Sequence, residues 1–514
     1  MSPELTINKS RLETNSVEDI EININIGSPA PEGAKLWVIT DIRQDNGLFQ
    51  CSIPDAPNYI SAETKDGKVC RVKIYEHMRT FDLYPEVPEF TNFSEIQLKE
   101  GEQFFTVRVK SWETPKHPID KFGFWVLADI EGQWEVFTSF YKSYHIFIKP
   151  SDLSRVEYID LLNSLSVIPV NIQGEYMPVN VVFPDRKKYK NVYWGELHGM
   201  AFNQREFDDF YNYAKNITKL DFASAVRFSY LNCTGDVWER TKAAASKHTE
   251  DGKFVAFVGV EFGTPPDDSH RVVYFPNPEE VPPIYCEARL PALDPHFLKR
   301  QRSDTVICKD LKEFYRVIDK YNGLLSGHFH TWHYDREVLC EIWQKQLVPE
   351  TEEQRLYDYI KQGKKMGIVG GSDTHDSMPG NPYPEPHCPR PAGHVGVWAD
   401  ELTSKALFEA FRARRVFATT GTRMVVGFES NGNLMGSILP AGAERKFRIN
   451  LAATAKIDKV ELLRDGLCIK TMYPESDTFE YEVEDESNSE KAFYHIKIWQ
   501  CDGHRAWSSP IWFE

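Results

Sequence analysis

The stretch Gly371-Ser-Asp-Thr-His375 carries two side chains that can do chemistry. Asp373 and His375 stand one residue apart, directly after the apolar run 367–370. A short apolar run that ends in glycines is typical of a buried strand followed by a tight turn. The carboxylate and the imidazole at the mouth of that turn can both ligate a metal ion, and both can move protons. The alternative is a surface turn whose aspartate only caps a backbone amide.

Other apolar runs end in residues of the same kind. His198, Glu261 and His328 each follow a short run that has the composition of a strand. A single histidine is usually a structural residue, but a set of strand ends carrying His, Glu, His and Asp with His is rare by chance. These residue types are the ligands that Mn²⁺, Fe²⁺ and Zn²⁺ take in proteins. The pattern therefore predicts a metal centre.

The elements that must position these residues alternate between strand and helix from about residue 190. The helical spacing of apolar residues predicts helices over 205–219, 236–247, 310–320, 351–362 and 403–414. Repeated β–α alternation is typical of a parallel sheet or barrel, in which chemistry sits at the carboxyl ends of the strands. The sequence therefore predicts an α/β barrel that brings the strand-end residues together.

The flanking segments have a different character, with short alternating strands and frequent turn signals and no strong helical period. The predicted organisation has five parts: a flexible N-terminus (1–20), a β-sandwich domain (21–150), a connector (151–189), the catalytic barrel (190–425) and a C-terminal β-sandwich (426–514).

Composition narrows the classes of partner. The chain has 514 residues and a formal net charge of −16, which argues against a general binder of nucleic acids or anionic membranes. No apolar run approaches the roughly 20 residues of a membrane span, and the N-terminus lacks a signal sequence. Nine cysteines occur without a CxxC pair. Reduced thiols and a cytoplasmic location are therefore expected.

The order of these motifs resembles the PHP (polymerase and histidinol phosphatase) superfamily of metal-dependent phosphoesterases, and within it a poorly characterised bacterial family with flanking β domains. The resemblance spans essentially the whole chain. The motifs that carry it are Gly195-Glu-Leu-His198, Phe254–Phe262, His270-Arg-Val-Val273, Gly371–His375, Phe417–Arg423 and Ala506–Trp512. It implies a distorted (β/α)₇ barrel with up to three metal ions.

The resemblance also implies roles for individual residues. His198, Glu261, His270, His328 and Asp373 match metal ligands, with Glu261 as the bridging carboxylate. Two further positions of the family pattern are Glu206, a carboxylate, and His375, the end of the closing Asp-x-His motif. Met200, Arg227 and Phe228 stand where the family has ligands, and none of the three is a replacement ligand. One or two ions are therefore expected, and not three.

Arg227 and His375 are the candidates for roles outside the metal set. If the Arg227 guanidinium points into the site, it could clamp a phosphate, sulfate or carboxylate in the place of the third ion. The alternative is a salt bridge to an acidic neighbour. His375, without its usual partner ligand, could serve as a general acid or base.

The function predicted first is hydrolysis of a small anionic phosphoester by a metal-activated water. The second hypothesis is a lyase or a hydrolase of another substrate class with a mononuclear site, in which Tyr230, His330 or His375 carries the proton. The third is a non-catalytic binding protein with an eroded site. A nucleic-acid partner and a membrane partner are not expected, and a homo-oligomer is compatible with the sequence.

Overall fold

A computed structural model gives the fold. The residues it describes are 4–9, 11–13, 15–40, 47–76, 92–115, 119–129, 140–149, 191–201, 207–233, 235–264, 269–286, 301–328, 337–345, 349–375, 377–382, 390–486 and 491–514. They fall into two compact units, one built from the residues up to 149 and the other from residues 191–514. The predicted connector, 151–189, lies outside the described residues. No helix in the described ranges is long and apolar enough to cross a membrane.

The first unit is built from β-strands. In chain order they are Glu4–Ile7 (β1), Arg11–Glu13 (β2), Val17–Asn25 (β3), Lys35–Thr40 (β4), Tyr59–Thr64 (β5), Arg71–Glu76 (β6), Asn92–Gln97 (β7), Phe104–Glu113 (β8), Ile119–Asp129 (β9) and Phe140–Lys149 (β10). One sheet has the order β1-β3-β8-β5, and the other has the order β2-β10-β9-β4-β7-β6. Alternate residues of β3, namely Ile20, Ile22 and Ile24, are buried. A period of two fits a strand with one face on a core.

The second unit contains the remaining strands of the described chain. They are Val192–Met200 (β11), Phe222–Phe228 (β12), Val255–Thr264 (β13), Ser269–Tyr274 (β14), Ile284–Tyr285 (β15), Val306–Ile307 (β16), Leu324–His328 (β17), Glu337–Trp343 (β18), Gly367–Gly370 (β19), His394–Trp398 (β20), Val416–Thr419 (β21), Val425–Ser430 (β22), Asn433–Leu434 (β23), Ile438–Leu439 (β24), Lys446–Ala452 (β25), Ile457–Arg464 (β26), Leu467–Met472 (β27), Thr478–Glu484 (β28), Ala492–Gln500 (β29), Arg505–Ser508 (β30) and Ile511–Phe513 (β31).

Helices are fewer in the same unit. They are Phe207–Asn212 (α1), which continues as the π-helix Tyr213–Ile217, Ser229–Asn232 (α2), Val237–His248 (α3), the 3₁₀ turn Pro278–Glu280, Leu311–Lys320 (α4), Pro349–Lys361 (α5) and Ser404–Arg412 (α6). Phe210, Tyr211 and Trp238 of α1 and α3 pack against Ala225 and Val258 in one buried cluster. Helices α1 and α3 therefore pack on one face of β12 and β13.

One large mixed sheet organises this unit. Its order is β19-β18-β17-β14-β13-β12-β11-β20-β21-β30-β29-β26-β27, with β24 and β31 paired beside that path. The sheet curls, so that β19 returns to the side of β20 and β21. A Cβ atom on Gly370 would lie 2.8 Å from the carbonyl oxygen of His394 and 2.9 Å from that of Thr419. Only glycine permits so close an approach of the terminal strand β19 to β20 and β21.

The predicted fold, a distorted (β/α)₇ barrel of the TIM-like kind flanked by β-sandwich domains, is wrong. Strand β14 runs antiparallel to both of its neighbours, β13 and β17, and β11 runs antiparallel to β20. The parallel pairs are β11–β12, β12–β13, β17–β18 and β18–β19. The sheet also continues through β21 and β30 into the C-terminal strands. A β–α barrel needs parallel strands throughout, and this mixed, mostly β sheet does not supply them.

A buried histidine on β29 makes the stability of this unit depend on pH. The Tyr357 hydroxyl lies 2.9 Å from Nε2 of His495, and burial, followed by the charge of Lys497, lowers the pKa of His495 to about 3. The folded chain therefore holds a neutral imidazole, whereas the unfolded chain takes up a proton below about pH 6.5. Stability is lost as pH falls from 6.5 towards 3, by about 2 kcal/mol at pH 5.

The variant His495→Gln cannot titrate at this position. Between pH 8 and pH 5 we expect its free energy of unfolding to fall by about 2 kcal/mol less than that of the wild type. Urea unfolding followed by tryptophan fluorescence at the two pH values measures the difference. Equal losses in the two proteins would show that His495 is not the group responsible.

Candidate metal centre

The five residues predicted as metal ligands lie together at one end of the curled sheet. They are His198 on β11, Glu261 on β13, His270 on β14, His328 at the end of β17 and Asp373 directly after β19. The register of β14 and β17 places His270 directly opposite His328. The curl brings the segment after β19 back to β11, where the Asp373 amide donates to the His198 carbonyl oxygen at 2.8 Å. We call these five residues the histidine–carboxylate cluster.

Three members of the cluster meet at the Nε2 atom of His198. This atom lies 3.7 Å from Oε2 of Glu261 and 3.4 Å from Oδ1 of Asp373. Two ligands of a tetrahedral zinc ion stand about 3.3 Å apart, given bonds of about 2.0–2.1 Å. The observed separations fall near that value. His198, Glu261 and His328 each offer a ligand atom, and these atoms lie within 4.8 Å of one another.

The other carboxylate oxygen of Glu261 faces two histidines. Oε1 lies 2.8 Å from Nδ1 of His270 and 3.1 Å from Nε2 of His328. The His198 and His328 ring centroids are 4.6 Å apart, and those of His270 and His328 are 5.6 Å apart. Glu261 is therefore the central residue, because it contacts all three histidines of the cluster.

Two buried polar atoms at the centre have no hydrogen-bond partner among the described residues. They are Nε2 of His198 and Oε2 of Glu261, and they face each other. A buried polar atom that lacks a hydrogen bond costs about 1–3 kcal/mol. Both atoms carry the lone pairs of a metal ligand when the imidazole is neutral and the carboxylate ionised. A divalent cation fits this donor set and would satisfy both atoms.

The charges around His198 favour a positive charge on or beside its imidazole. Burial opposes the charged form of His198, but the carboxylates of Glu341 and Asp373 outweigh it and hold its pKa well above the ordinary value. Burial also opposes the ionised form of Glu261, yet the three histidines that face it, His198, His270 and His328, hold its pKa well below the ordinary value. The raised pKa of His198 indicates a negative potential at its imidazole, which attracts a cation.

Glu341 orients His198, and the sequence interpretation missed it. Its two carboxylate oxygens lie 3.0 and 2.9 Å from Nδ1 of His198, and Gln344 donates to Oε2 at 3.0 Å. An acceptor on Nδ1 keeps the proton there and leaves Nε2 free to bind a metal ion. The signal was a carboxylate flanked by apolar residues in strand β18, since charged residues are rarely buried without a partner.

Backbone irregularities shape the cluster. The register between β11 and β12 shifts between Glu196 and Gly199, across the position of His198. Bulges of this kind re-aim a side chain next to active sites. Asp373 has a φ of +50°, in the left-handed region that aspartate tolerates better than most residues. A Cβ atom on Gly371 would lie 3.0 Å from Cβ of His198, so the turn can pass this close only with glycine there.

His375 lies at the edge of the cluster. Its Nε2 atom is 3.4 Å from Oδ1 of Asp373, and 13% of its side-chain surface is exposed to solvent. The ring of Phe228 meets the imidazole edge to face at 6.3 Å, and Tyr230 stacks on Phe228 at 5.7 Å. Tyr230 thus packs on Phe228, which in turn contacts His375. The role of each as a proton carrier stays a prediction.

Arg227 is buried on β12 and is not brought to the cluster. The register pairs Phe228 with Glu261, so these two residues share a face of the sheet, and Arg227 lies on the opposite face. Its guanidinium lies 5.3 Å from the ring centroid of Phe207 in α1. The clamp stays an untested prediction. Glu206 and His330, the other two predicted catalytic residues, lie outside the described residues.

Comparison with known protein sequences gives a family without a known function. A family model described as a protein of unknown function (DUF3604) matches residues 382–441. An uncharacterized protein of Chlamydia muridarum (strain MoPn / Nigg) is 24% identical over 365 residues, which cover 63% of this chain and 58% of the relative. A second, from Chlamydia pneumoniae, is 23% identical over 365 residues and covers 63% and 57%. The chain thus spans less than two thirds of these relatives.

Comparison with solved structures gives only remote likenesses. The β-glucuronidase of Bacteroides uniformis aligns with a TM-score of 0.20 at 10% identity, over 100% of this chain and 60% of that chain. BslA, a bacterial hydrophobin, aligns with a TM-score of 0.18 at 12% identity, over 29% of this chain and 98% of that chain. TM-scores of this size do not indicate a shared fold.

The expected membership in the PHP superfamily is wrong. The family model that matches is a different one, and the curated relatives carry no description of a phosphoesterase. The mixed sheet also differs from the parallel barrel that the resemblance implied. The chain is therefore similar, over part of its length, to a family whose function is unknown.

Proposed function

We propose that this protein is a metal-dependent hydrolase whose centre is the histidine–carboxylate cluster. The observation that carries the proposal is the pair of buried atoms without a hydrogen-bond partner among the described residues, Nε2 of His198 and Oε2 of Glu261, which face each other beside the carboxylate of Asp373. His198, Glu261, His328 and Asp373 would hold the ion. A cluster kept only for packing would gain nothing from two unsatisfied polar atoms.

The donor set restricts the ion. Imidazole nitrogens and carboxylate oxygens without a thiolate suit Mn²⁺, Fe²⁺ or Zn²⁺. When bound, such an ion lowers the pKa of a coordinated water towards neutrality and polarises the bond to be cleaved. The positive charge of the bound ion would also favour an anionic substrate. A small phosphoester therefore remains the first substrate class of the proposal.

The residues of the chain supply positioning and proton transfer. Glu341 holds the proton on Nδ1 of His198, so that Nε2 is aimed at the centre. His270 and His375 keep partial exposure, whereas His198 and His328 are fully enclosed. Substrate would therefore approach from the side of His270 and His375. From there, His375 could pass a proton to a leaving group while Asp373 stabilises its charged form.

Metal analysis and a substrate panel test this proposal. We expect purified protein to carry close to one equivalent of Mn, Fe or Zn by mass spectrometry of the elements. A phosphomonoester, a phosphodiester, a carboxylic ester and an amide are then assayed with metal-loaded protein, with chelator-treated protein and after metal is added back. Activity on one class that is lost with chelator and regained with metal supports the proposal. Full metal occupancy with no turnover on any class would contradict it, as would the absence of bound metal.

A further inference from the structure

A second buried carboxylate stands beside the cluster and does not belong to it. Glu196 lies on β11, two residues before His198, and its side chain is fully buried. Oε1 accepts a hydrogen bond from the Ser372 amide at 2.7 Å, and Oε2 accepts one from the Gly380 amide at 3.0 Å. The two amides bracket the segment 372–380, which carries Asp373 and His375. One side chain thus holds both ends of the segment.

Further hydrogen bonds hold the segment at both ends, and near its end the Thr218 hydroxyl donates to the Pro379 carbonyl oxygen at 2.9 Å. The Asp373 amide donates to the His198 carbonyl oxygen at 2.8 Å, the Ser372 hydroxyl donates to the same oxygen at 3.2 Å, and the Met200 amide donates to the Thr374 carbonyl oxygen at 3.0 Å. These contacts attach residues 372–374 to β11. Glu196 adds a bond at Gly380, so it closes the segment into a loop with both ends attached to one strand.

Only a carboxylate can make both bonds. Each Glu196 oxygen accepts from a backbone amide, and a glutamine would offer one accepting oxygen and one donating NH₂ group. If the glutamine NH₂ group faced one of these amide N–H groups, two buried donors would meet and neither would have an acceptor. A carboxylate in this position is costly to bury, and it is retained where two amides must be held at once.

We propose that Glu196 is a positioning residue, which fixes Asp373 and His375 relative to His198 without contacting the substrate. The inference rests on the proposed function, because the relative position of Asp373 and His198 matters only if both approach the same ion. Asp373 has a left-handed backbone, φ +50°, a conformation that is kept only where the surroundings determine it. Attachment of both ends of the segment supplies that constraint.

The variant Glu196→Gln tests the proposal with Co²⁺ in place of the native ion. We expect Co²⁺ to bind about tenfold more weakly, at the lower end of the range for residues that support metal ligands. We also expect the visible absorption bands of the bound Co²⁺ to change, because they report which atoms ligate the ion. Hydrogen exchange of the Gly380 amide should become at least about tenfold faster. The matched control is Glu353→Gln, which alters a buried carboxylate bonded to Trp507 and Lys497, away from the cluster.

The outcomes separate this inference from the proposed function. If the wild type binds no Co²⁺, the proposed function fails, and the hydrogen exchange of Gly380 still tests whether Glu196 holds the segment. If the hydrogen exchange of the Gly380 amide is unchanged in Glu196→Gln, the inference is overturned. It is also overturned if this exchange becomes faster while the Co²⁺ affinity and absorption bands stay as in the wild type. If Glu196→Gln does not fold, Glu196→Asp replaces it, since the shorter side chain keeps the charge but cannot reach both amides. A wild-type absorption spectrum in that variant also overturns the inference.

Discussion

The substitution Glu261→Gln is expected to leave the purified protein without stoichiometric metal and to lower any hydrolytic turnover by more than about 100-fold, since even residues that only support ligands cost 10–100-fold. Glu261 supplies the negative charge that all three histidines of the cluster face. A glutamine keeps the shape but removes the charge, and its NH₂ group would point a donor either at the ion or at an imidazole N–H. Elemental analysis and steady-state kinetics measure the two effects.

The control for this variant is Glu353→Gln, which also neutralises a buried glutamate. It weakens the hydrogen bonds that Glu353 accepts from Trp507 and Lys497, but it leaves the cluster intact. We expect full metal occupancy in the control, together with a measurable loss of stability. Glu261→Gln protein that retains one equivalent of tightly bound metal would rule out Glu261 as the central ligand.

The second large effect is expected at Glu341. The variant Glu341→Gln should weaken metal binding by about 10–100-fold while the ion still binds, because the ligands themselves remain. The carboxylate accepts from Nδ1 of His198 and thereby keeps Nε2 as the metal-binding atom. A glutamine can turn its NH₂ group towards Nδ1, which would favour the other tautomer and place the proton on Nε2.

Titration of metal-free protein with Zn²⁺ against a chelating dye measures this change in affinity. The metal-free Glu341→Gln protein should still fold, with a loss of stability because the carboxylate that favours charged His198 is gone. Affinity within about twofold of the wild type would mean that the tautomer of His198 is set by something other than Glu341.

The elements of the candidate site were predictable where local sequence decides the structure. The strand 367–370 is confirmed as β19, and the helix predicted over 310–320 is confirmed as α4, where the Asp310 side chain accepts from the Glu313 amide as an N-cap. Asp236, the first residue of the helix predicted over 236–247, is of a type that often caps a helix, but its carboxylate pairs with Arg240 and makes no cap. A capping residue and an i,i+4 ion pair compete for the same side chain, and the sequence does not decide between them.

The connectivity was not predictable, because strand direction is a property of pairing and not of composition. β13 and β14 each have the apolar character of a buried strand, but they pair antiparallel. The same residue types at strand ends can therefore meet in a mixed sheet as well as in a parallel barrel, which is why the motif resemblance gave the wrong fold. Glu196 and Glu341 were missed because a carboxylate in an apolar strand gains meaning only when its partners are known, and these partners, Ser372 and His198, lie 176 and 143 residues away.

The distances along the chain between the cluster residues have a consequence for how the protein acquires an ion. His198 comes from β11 and Asp373 from the segment after β19, and they meet only when the curled sheet has brought its edge back to β11. Closing such long loops is slow and entropically costly, so an ion cannot assemble the ligands ahead of the sheet. Metallation should therefore follow folding. The ion that is captured would then depend on which divalent metal is abundant around the finished protein, because selectivity in cells follows site geometry and metal availability rather than raw affinity.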